Sequence, residues 1–373
     1  MKLEIKKEIL MEQLNNVIKG ISNKNIIPVL NCIKFELTNE GLYLLSTDND
    51  IAIKCFIDQK DIENIDTCGE ILVSGRYIYD IIKKLPNEIV KIEEVVDNKI
   101  FITTSSSSFN LNCNNASEFP RLDLKESNNP IVIRKKVIKN IIRQTAFATS
   151  TQESRPTLTG INFKIVENLM EVTATDSYRV SKKNIYLDSP INEEINIIIP
   201  TRNLNELSKL LDDSENDVEM HVFNNKVIFK FDNIIMMTRL INGTFPDISK
   251  LIPTDFQLKL DMNLSEFYNA LDRASLFTNE DDKNTIELKT EMHDIVISSN
   301  IPEIGNVEEK IEVTKNNDSN IEIAFSSRYM MDALKALECE NIEISFSGEV
   351  KPIIIKNKDD DNLIELIVPI RTY

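Results

Sequence analysis

The chain has little of what most enzymes are built from. Its 373 residues include two histidines, eight glycines, five cysteines and no tryptophan. The glycines form no GxxxxGK[ST] or GxGxxG run, so no backbone cradle for nucleotide phosphates is written. Cys32, Cys55, Cys68, Cys113 and Cys339 are scattered, odd in number and without a CxxC pair. That pattern suits reduced thiols in a cytoplasm better than a disulfide framework or a zinc site. No stretch approaches 18 uncharged apolar residues, so no membrane span or membrane partner is expected. The opening "MKLEIKKEILMEQL" is charged and amphipathic rather than a cleavable signal, and the expected location is the cytoplasm. His221 and His293 both fall in strand-like stretches and read as structural. The acidic groups "NEDD" (279–282), "DDSEND" (212–217) and "KDDDN" (358–362) raise the alternative of a metal-dependent nuclease using Asp281 or Asp282. They lie in polar turns with no partner histidine, and solvated loops are the preferred reading. No catalytic residue, metal site or cofactor is assigned.

What is there instead is repetition. "GRYIYDIIKKL" (75–85), "TRNLNELSKLL" (201–211) and "SRYMMDALKAL" (327–337) place Arg76, Arg202 and Arg328 126 residues apart each time. The same step links Asp80, Glu206 and Asp332, then Lys83, Lys209 and Lys335. Each word follows an apolar strand-like run, and Ser74, Thr201 and Ser326 with Ser327 stand where an N-cap is wanted. Its apolar residues recur at three and four, as in Leu204, Leu207, Leu210 and Leu211, which predicts a helix. A second helix per unit is predicted at Lys6–Lys19, Arg134–Thr145 and Leu264–Ser275. "TNEG" (38–41) and "VEN" (166–168) separate alternating runs and read as hairpin turns. The expectation is an α+β chain of three tandem similar domains, 1–126, 127–253 and 254–373, each with two helices packed on antiparallel sheet. A period this long rules out a solenoid of short repeats.

Net charge is −17, which taken alone argues against a nucleic-acid partner. The sign is unevenly placed, however. The six helix windows hold 16 Lys and Arg against 8 Asp and Glu, whereas the rest of the chain holds 27 against 52. Helix propensity does not explain this, because it favours glutamate nearly as much as lysine. "RKKVIKNIIRQT" carries Arg134, Lys135, Lys136, Lys139 and Arg143 around a stripe of Val137, Ile138, Ile141 and Ile142. Such a helix packs one face and offers cations to an anion such as phosphate, with no reading of base sequence. If helices at ~10 Å spacing line a hole, six leave a bore of ~9 Å and twelve leave ~28 Å. Two chains could close around a duplex; one could not.

These residues resemble a known family. "TDSYRVS" (175–181), "FPDISKLIP" (245–253), "RYMMDALKAL" (328–337) and "VPIRTY" (368–373) are similar to words of the bacterial DNA polymerase III beta subunit, the sliding clamps. The resemblance covers the whole chain. It implies a crescent-shaped subunit that closes into a ring as a head-to-tail homodimer, helices toward duplex DNA, with no catalysis. It implies as partners the polymerase III catalytic subunit, a clamp loader, and other polymerases and repair proteins carrying a linear clamp-binding motif. It also implies a nucleoid-associated location.

Carried over by position, the peptide pocket takes Leu158, Thr175, Ser177, Tyr178, Arg179, Val180, Pro246, Lys250 and Leu251. The third unit adds Tyr329, Val350, Pro352, Val368, Pro369, Ile370 and Arg371. Tyr178 replaces an expected histidine, and Lys250 stands where some members carry arginine. The dimer contact implied is Phe109 and Leu111 against Leu276 and Phe277. The DNA-facing set is Lys24, Arg76, Lys83, Arg134, Lys135, Lys139, Arg143, Gln152, Arg155, Arg202, Lys209 and Arg328.

Overall fold

The computed structural model describes residues 1–22, 27–95, 98–281 and 283–371. All six predicted helices form: α1 (Lys7–Val17), α2 (Gly75–Lys84), α3 (Lys135–Thr145), α4 (Thr201–Leu210), α5 (Leu264–Ser275) and α6 (Ser327–Ala336). Each buries an apolar stripe at helical spacing: Leu10, Leu14 and Val17 in α1, Ile78 and Ile82 in α2, and Ile138, Ile141 and Ile142 in α3. In α4 the stripe is Leu204 and Leu207, in α5 Phe267, Ala270, Leu271 and Ala274, and in α6 Met330, Ala333 and Leu334. Among the described residues no helix is long and apolar enough to cross a membrane.

Capping differs from the sequence expectation in two of three copies. Ser326 accepts from the Tyr329 N–H as predicted, but Ser74 makes no side-chain cap bond. Thr201 is already the first helical residue, so its hydroxyl lies past the position from which a cap reaches back. Both predicted hairpins form, Cys32–Leu37 with Gly41–Thr47 and Gly160–Val166 with Leu169–Thr175. His221 lies in the strand Asp217–Val222, but His293 does not lie in a strand. It is exposed in the turn joining Thr285–Thr290 to Asp294–Ile301.

The chain separates into two compact units that do not coincide with the three sequence repeats: Met1–Lys136 with Glu206–Leu240, and Val137–Asn205 with Ile241–Tyr373. The first holds a 13-stranded sheet. Within it the antiparallel strands Cys32–Leu37, Gly41–Thr47 and Ile51–Asp58 continue into Ile234–Arg239 of the next repeat, Ile234 opposite Cys55. The second unit holds a nine-stranded and a four-stranded sheet. There the strands Gly160–Val166, Leu169–Thr175 and Arg179–Tyr186 continue into Asp360–Ile367, Val180 opposite Leu366. Sheets thus cross from one repeat into the next. Backbone hydrogen bonding, which ignores side-chain identity, carries the chain over a boundary that the repeat period marks.

One buried polar chain ties the second unit. Glu365 is 1% exposed, and burial pushes its carboxyl well above the usual range, which favours the neutral form. Its Oε1 lies 2.9 Å from the Ser181 hydroxyl, which donates at 2.8 Å to the Gln144 carbonyl. Because the folded-state value is raised, stability from this group is full at acid pH and declines as pH rises from the ordinary glutamate range through the raised one. Glu365→Gln should therefore gain thermal stability over the native chain as pH is raised from 5 to 8. Melting curves at both pH values check this.

Candidate functional site

The loop 175–179 starts from a hydroxyl and a carboxylate that replace missing backbone partners. Thr175 Oγ1 donates to the Arg179 carbonyl at 2.6 Å and accepts from the Ser177 N–H at 3.1 Å. Asp176 Oδ1 accepts from the N–H groups of Tyr178 at 2.9 Å and Arg179 at 3.0 Å. Ser177 takes φ +81°, and Tyr178 is thrown outward, 56% exposed. The Tyr178 ring stacks on Tyr329 of α6, centroids 6.4 Å apart at 25°. Burial raises the Tyr329 hydroxyl, so it stays protonated at neutral pH.

Arg179 turns the other way. It is 9% exposed, donating from Nε to Asp176 at 3.0 Å, from one terminal nitrogen to Asp332 at 2.7 Å and from the other to the Phe147 carbonyl at 2.5 Å. Its Cζ lies 4.5 Å from the Tyr329 ring centroid and 5.2 Å from that of Phe147. Behind this loop Val180, Ile248, Ile354 and Leu366 form a buried cluster, with Phe245, Ile252, Phe256 and Ile364 packed on it. The chain end is stitched on by the Val368 N–H to the Tyr178 carbonyl at 2.9 Å and the Ile370 N–H to the Ala324 carbonyl at 2.7 Å.

The structure thus brings Thr175, Ser177, Tyr178, Arg179, Val180, Tyr329, Val368 and Ile370 into one connected site. Leu251, Val350 and Val368 expose apolar surface, whereas Leu158 is buried. Pro246, Lys250 and Arg371 are exposed, and Pro352 and Pro369 are half-buried. Asp176, Asp332 and Phe147 were not picked out from sequence. The available signal was the recurring acid of the triplicated helix, Asp80, Glu206 and Asp332, whose use in an ion pair the period alone does not disclose.

The cationic set divides. Arg76 and Lys83 on α2, Arg143 on α3, Arg202 and Lys209 on α4 and Arg328 on α6 are exposed, as are Arg134 and Gln152, while Lys139 is half-buried. Lys24 and Asp282 lie outside the described residues. Lys135 is a correction. It is 1% exposed, with its ammonium 2.6 Å from Asp232 and 3.2 Å from Asp212, so it is turned inward and cannot meet an external anion. Burial alone would lower its pKa, but the two carboxylates outweigh that and raise it. Asp212 is drawn down to about 2 by its bonds to Ser214 and then by Lys135. Arg155 also has a neighbour the sequence did not suggest, donating to the Ser177 hydroxyl at 3.2 Å. Arg143 pairs with Glu338 at 2.7 Å and Lys209 with Glu206 at 2.7 Å, exposed contacts that a polyanion can replace.

Among the described residues, the one metal-ligand-type cluster and the most strongly shifted thiols are engaged or protonated. Glu126, Glu219 and His221 converge within 4.8 Å, but Lys230 sits 2.7 Å from Glu126 and 3.8 Å from Glu219. The Ser127 N–H donates to His221 Nδ1 at 3.1 Å, which leaves the proton on Nε2, the atom a metal would need. Burial pushes the Cys55 thiol up to about 12 and Cys113 to about 11, so neither supplies a thiolate.

Three family models match in series: the DNA polymerase III beta subunit N-terminal domain at residues 1–123, its central domain at 132–247 and its C-terminal domain at 249–371. The beta sliding clamp of Staphylococcus aureus strain Mu50 is 39% identical over 377 residues, covering all of both chains. The crystal structure of the DNA polymerase sliding clamp from Bacillus subtilis superposes with TM-score 0.97 at 38% identity, again over all of both chains. A Pseudomonas aeruginosa clamp, solved bound to griselimycin, shares the fold with TM-score 0.94 at 24% identity over all of both chains.

The division of the cations is testable by stability. Lys135→Ala should cost about 1–2 kcal/mol, the low end for a lost buried partner because both carboxylates can be rehydrated. Arg143→Ser should stay within about 0.5 kcal/mol, as an exposed pair does. Urea unfolding of both variants checks the contrast.

Proposed function

Because the chain belongs to the DNA polymerase III beta subunit family, the non-catalytic sliding clamps that lend processivity to that polymerase, we propose that two copies close head to tail around duplex DNA. The observation that carries this is a strand left unmatched. In the first repeat Ile51–Asp58 is covered by the last strand of the second repeat, and in the second Arg179–Tyr186 is covered by the last strand of the third. The corresponding strand of the third repeat, Gly305–Glu312, ends its four-stranded sheet with one edge unpaired among the described residues. The last strand of the first repeat, Ser108–Asn114, pairs on its second side only at Cys113 and Asn114. Placing one protomer's Ser108–Asn114 beside the partner's unpaired edge repeats the same junction a third time. Because the contact joins two different surfaces, it closes into a ring or runs on as a filament. The residues implied for the contact suit that junction. Phe109 is 37% and Leu276 75% exposed, while Leu111 and Phe277 are half-buried beside them in sequence.

The exposed cations of α2, α3, α4 and α6 are read as the inner surface. Diffuse charges without base contacts attract the duplex yet leave no deep well along it, which is what sliding requires. The pocket of Leu158, Tyr178, Val180, Leu251, Tyr329, Val350, Val368 and Pro369 is read as the dock for an extended peptide. It offers apolar walls for aliphatic and aromatic anchors and few polar groups to set direction. The polymerase III catalytic subunit, the clamp loader, and other polymerases and repair proteins are its proposed users. The three clamp domains are proposed as 1–126, 127–253 and 254–373, and the location as cytoplasmic.

Three measurements test the reading. The solution mass should be twice the 42.7 kDa of one chain, and a monomer at working concentration would exclude ring closure. Changing Arg134, Lys139 and Arg143 together to Ser should weaken loading and retention on nicked circular DNA. It should also flatten the slope of log K against log salt by up to about 3, with peptide docking unchanged. Deleting residues 368–373 should abolish polymerase binding while the dimer mass persists; polymerase binding that survived would contradict the pocket assignment.

A further inference from the structure

The loop that presents Tyr178 is built twice. In the first repeat Thr47 Oγ1 donates to the Ile51 carbonyl at 2.7 Å and accepts from the Asn49 N–H at 3.1 Å. Asp48 Oδ1 accepts from the N–H groups of Asp50 at 3.0 Å and Ile51 at 2.9 Å, and Asn49 takes φ +79°. These are the bonds and the left-handed residue of 175–179, position for position. Yet the residue matching Arg179 is Ile51, which carries no charge. The loop therefore folds without an arginine, and folding the loop does not account for a guanidinium held 9% exposed in the second copy.

Desolvating that cation is costly unless its donors are matched, and here all three nitrogens are. Asp176 supplies a partner from the loop itself, where its other oxygen already accepts two backbone N–H groups. Asp332 supplies one from α6. It lies three residues after Tyr329, so both project from the same face of the helix and meet the same guanidinium. The cation is thereby fixed at 4.5 Å from the Tyr329 ring, and Tyr329 is the ring on which Tyr178 stacks. A cation over an aromatic face is attracted by the ring's negative face, and that attraction depends on geometry.

Resting on the pocket reading above, we propose that Asp332 is a positioning residue for peptide docking: it anchors Arg179 over Tyr329 and so sets the aromatic rim of the pocket before a ligand arrives. It touches no ligand itself. Rim side chains ordered in advance leave less entropy to be lost on binding. In Asp332→Ala the guanidinium loses its partner on α6, and Tyr178 and Tyr329 are no longer held as a pair.

The test is the affinity of dimeric full-length chain for fluorescently labelled griselimycin, read by anisotropy beside melting temperature and solution mass. Asp332→Ala and Arg179→Ala should each weaken binding about tenfold. The double variant should lose no more than Arg179→Ala alone, because Asp332 acts only through that guanidinium. Asp332→Glu, which keeps the carboxylate, should recover most of the affinity, a rescue that a general packing defect would not show. Asp332→Asn keeps the shape if the alanine variant melts early, and should still bind several-fold more weakly. Val350→Asp, on the pocket wall away from this contact, separates two kinds of failure. If it abolishes binding while Asp332→Ala and Asp332→Asn bind within twofold of the native chain, the positioning role is wrong and the pocket stands. Additive losses in the double variant would also overturn it. If Val350→Asp binds as the native chain does, or the native chain does not bind at all, the pocket reading itself fails.

Discussion

Every element described here depends on one constraint: each helix must bury an apolar stripe, which leaves only its opposite face for charge. In α3 the stripe of Ile138, Ile141 and Ile142 is buried while Arg143 and Lys136 face outward. Burying such a stripe contributes on the order of 1.5–3 kcal/mol per large side chain, far more than exposed ion pairs give or cost. Packing therefore decides the orientation, and charge follows it. A chain with net charge −17 can then present cations where its helices surface and still be acidic elsewhere.

Lys135 shows how finely that rule cuts. It begins α3 one residue after Arg134 and one before Lys136, both of which are exposed. One step along a helix turns a side chain by a quarter turn or more, which is enough to take an ammonium from solvent to a closed slot between two aspartates. The basic cluster in the sequence is thus two populations, one structural and one available to a polyanion. Arg179 extends the point, since its charge is consumed by Asp176, Asp332 and Tyr329 rather than offered outward.

Repetition supplies the scaffold of the proposed dock more than once. The same hydrogen-bonded loop occurs at 47–51 and 175–179, and the same strand junction occurs in both compact units. The loop scaffold is therefore present twice. The side chains differ, with Asp50 and Ile51 in one copy and Tyr178 and Arg179 in the other. A duplicated fold supplies a shape more than once, and substitution at one exposed and one buried position distinguishes the copy proposed as the dock.

Much of this was legible in the sequence. Helical spacing, the 126-residue step and alternation placed all six helices and the principal hairpins, because these follow from periods of 3.6 and 2 that any chain must obey. Resemblance supplied the positions of the proposed pocket. Tertiary structure alone decided that sheets run across repeat boundaries, that Ser74 caps nothing, that His293 leaves its strand, and that Lys135 is buried. It alone brought Asp332 to Arg179 across 153 residues. The physical reason is range: periodicity reports what neighbours along the chain must do, whereas an ion pair or a strand partner depends on which distant groups the packed core leaves side by side.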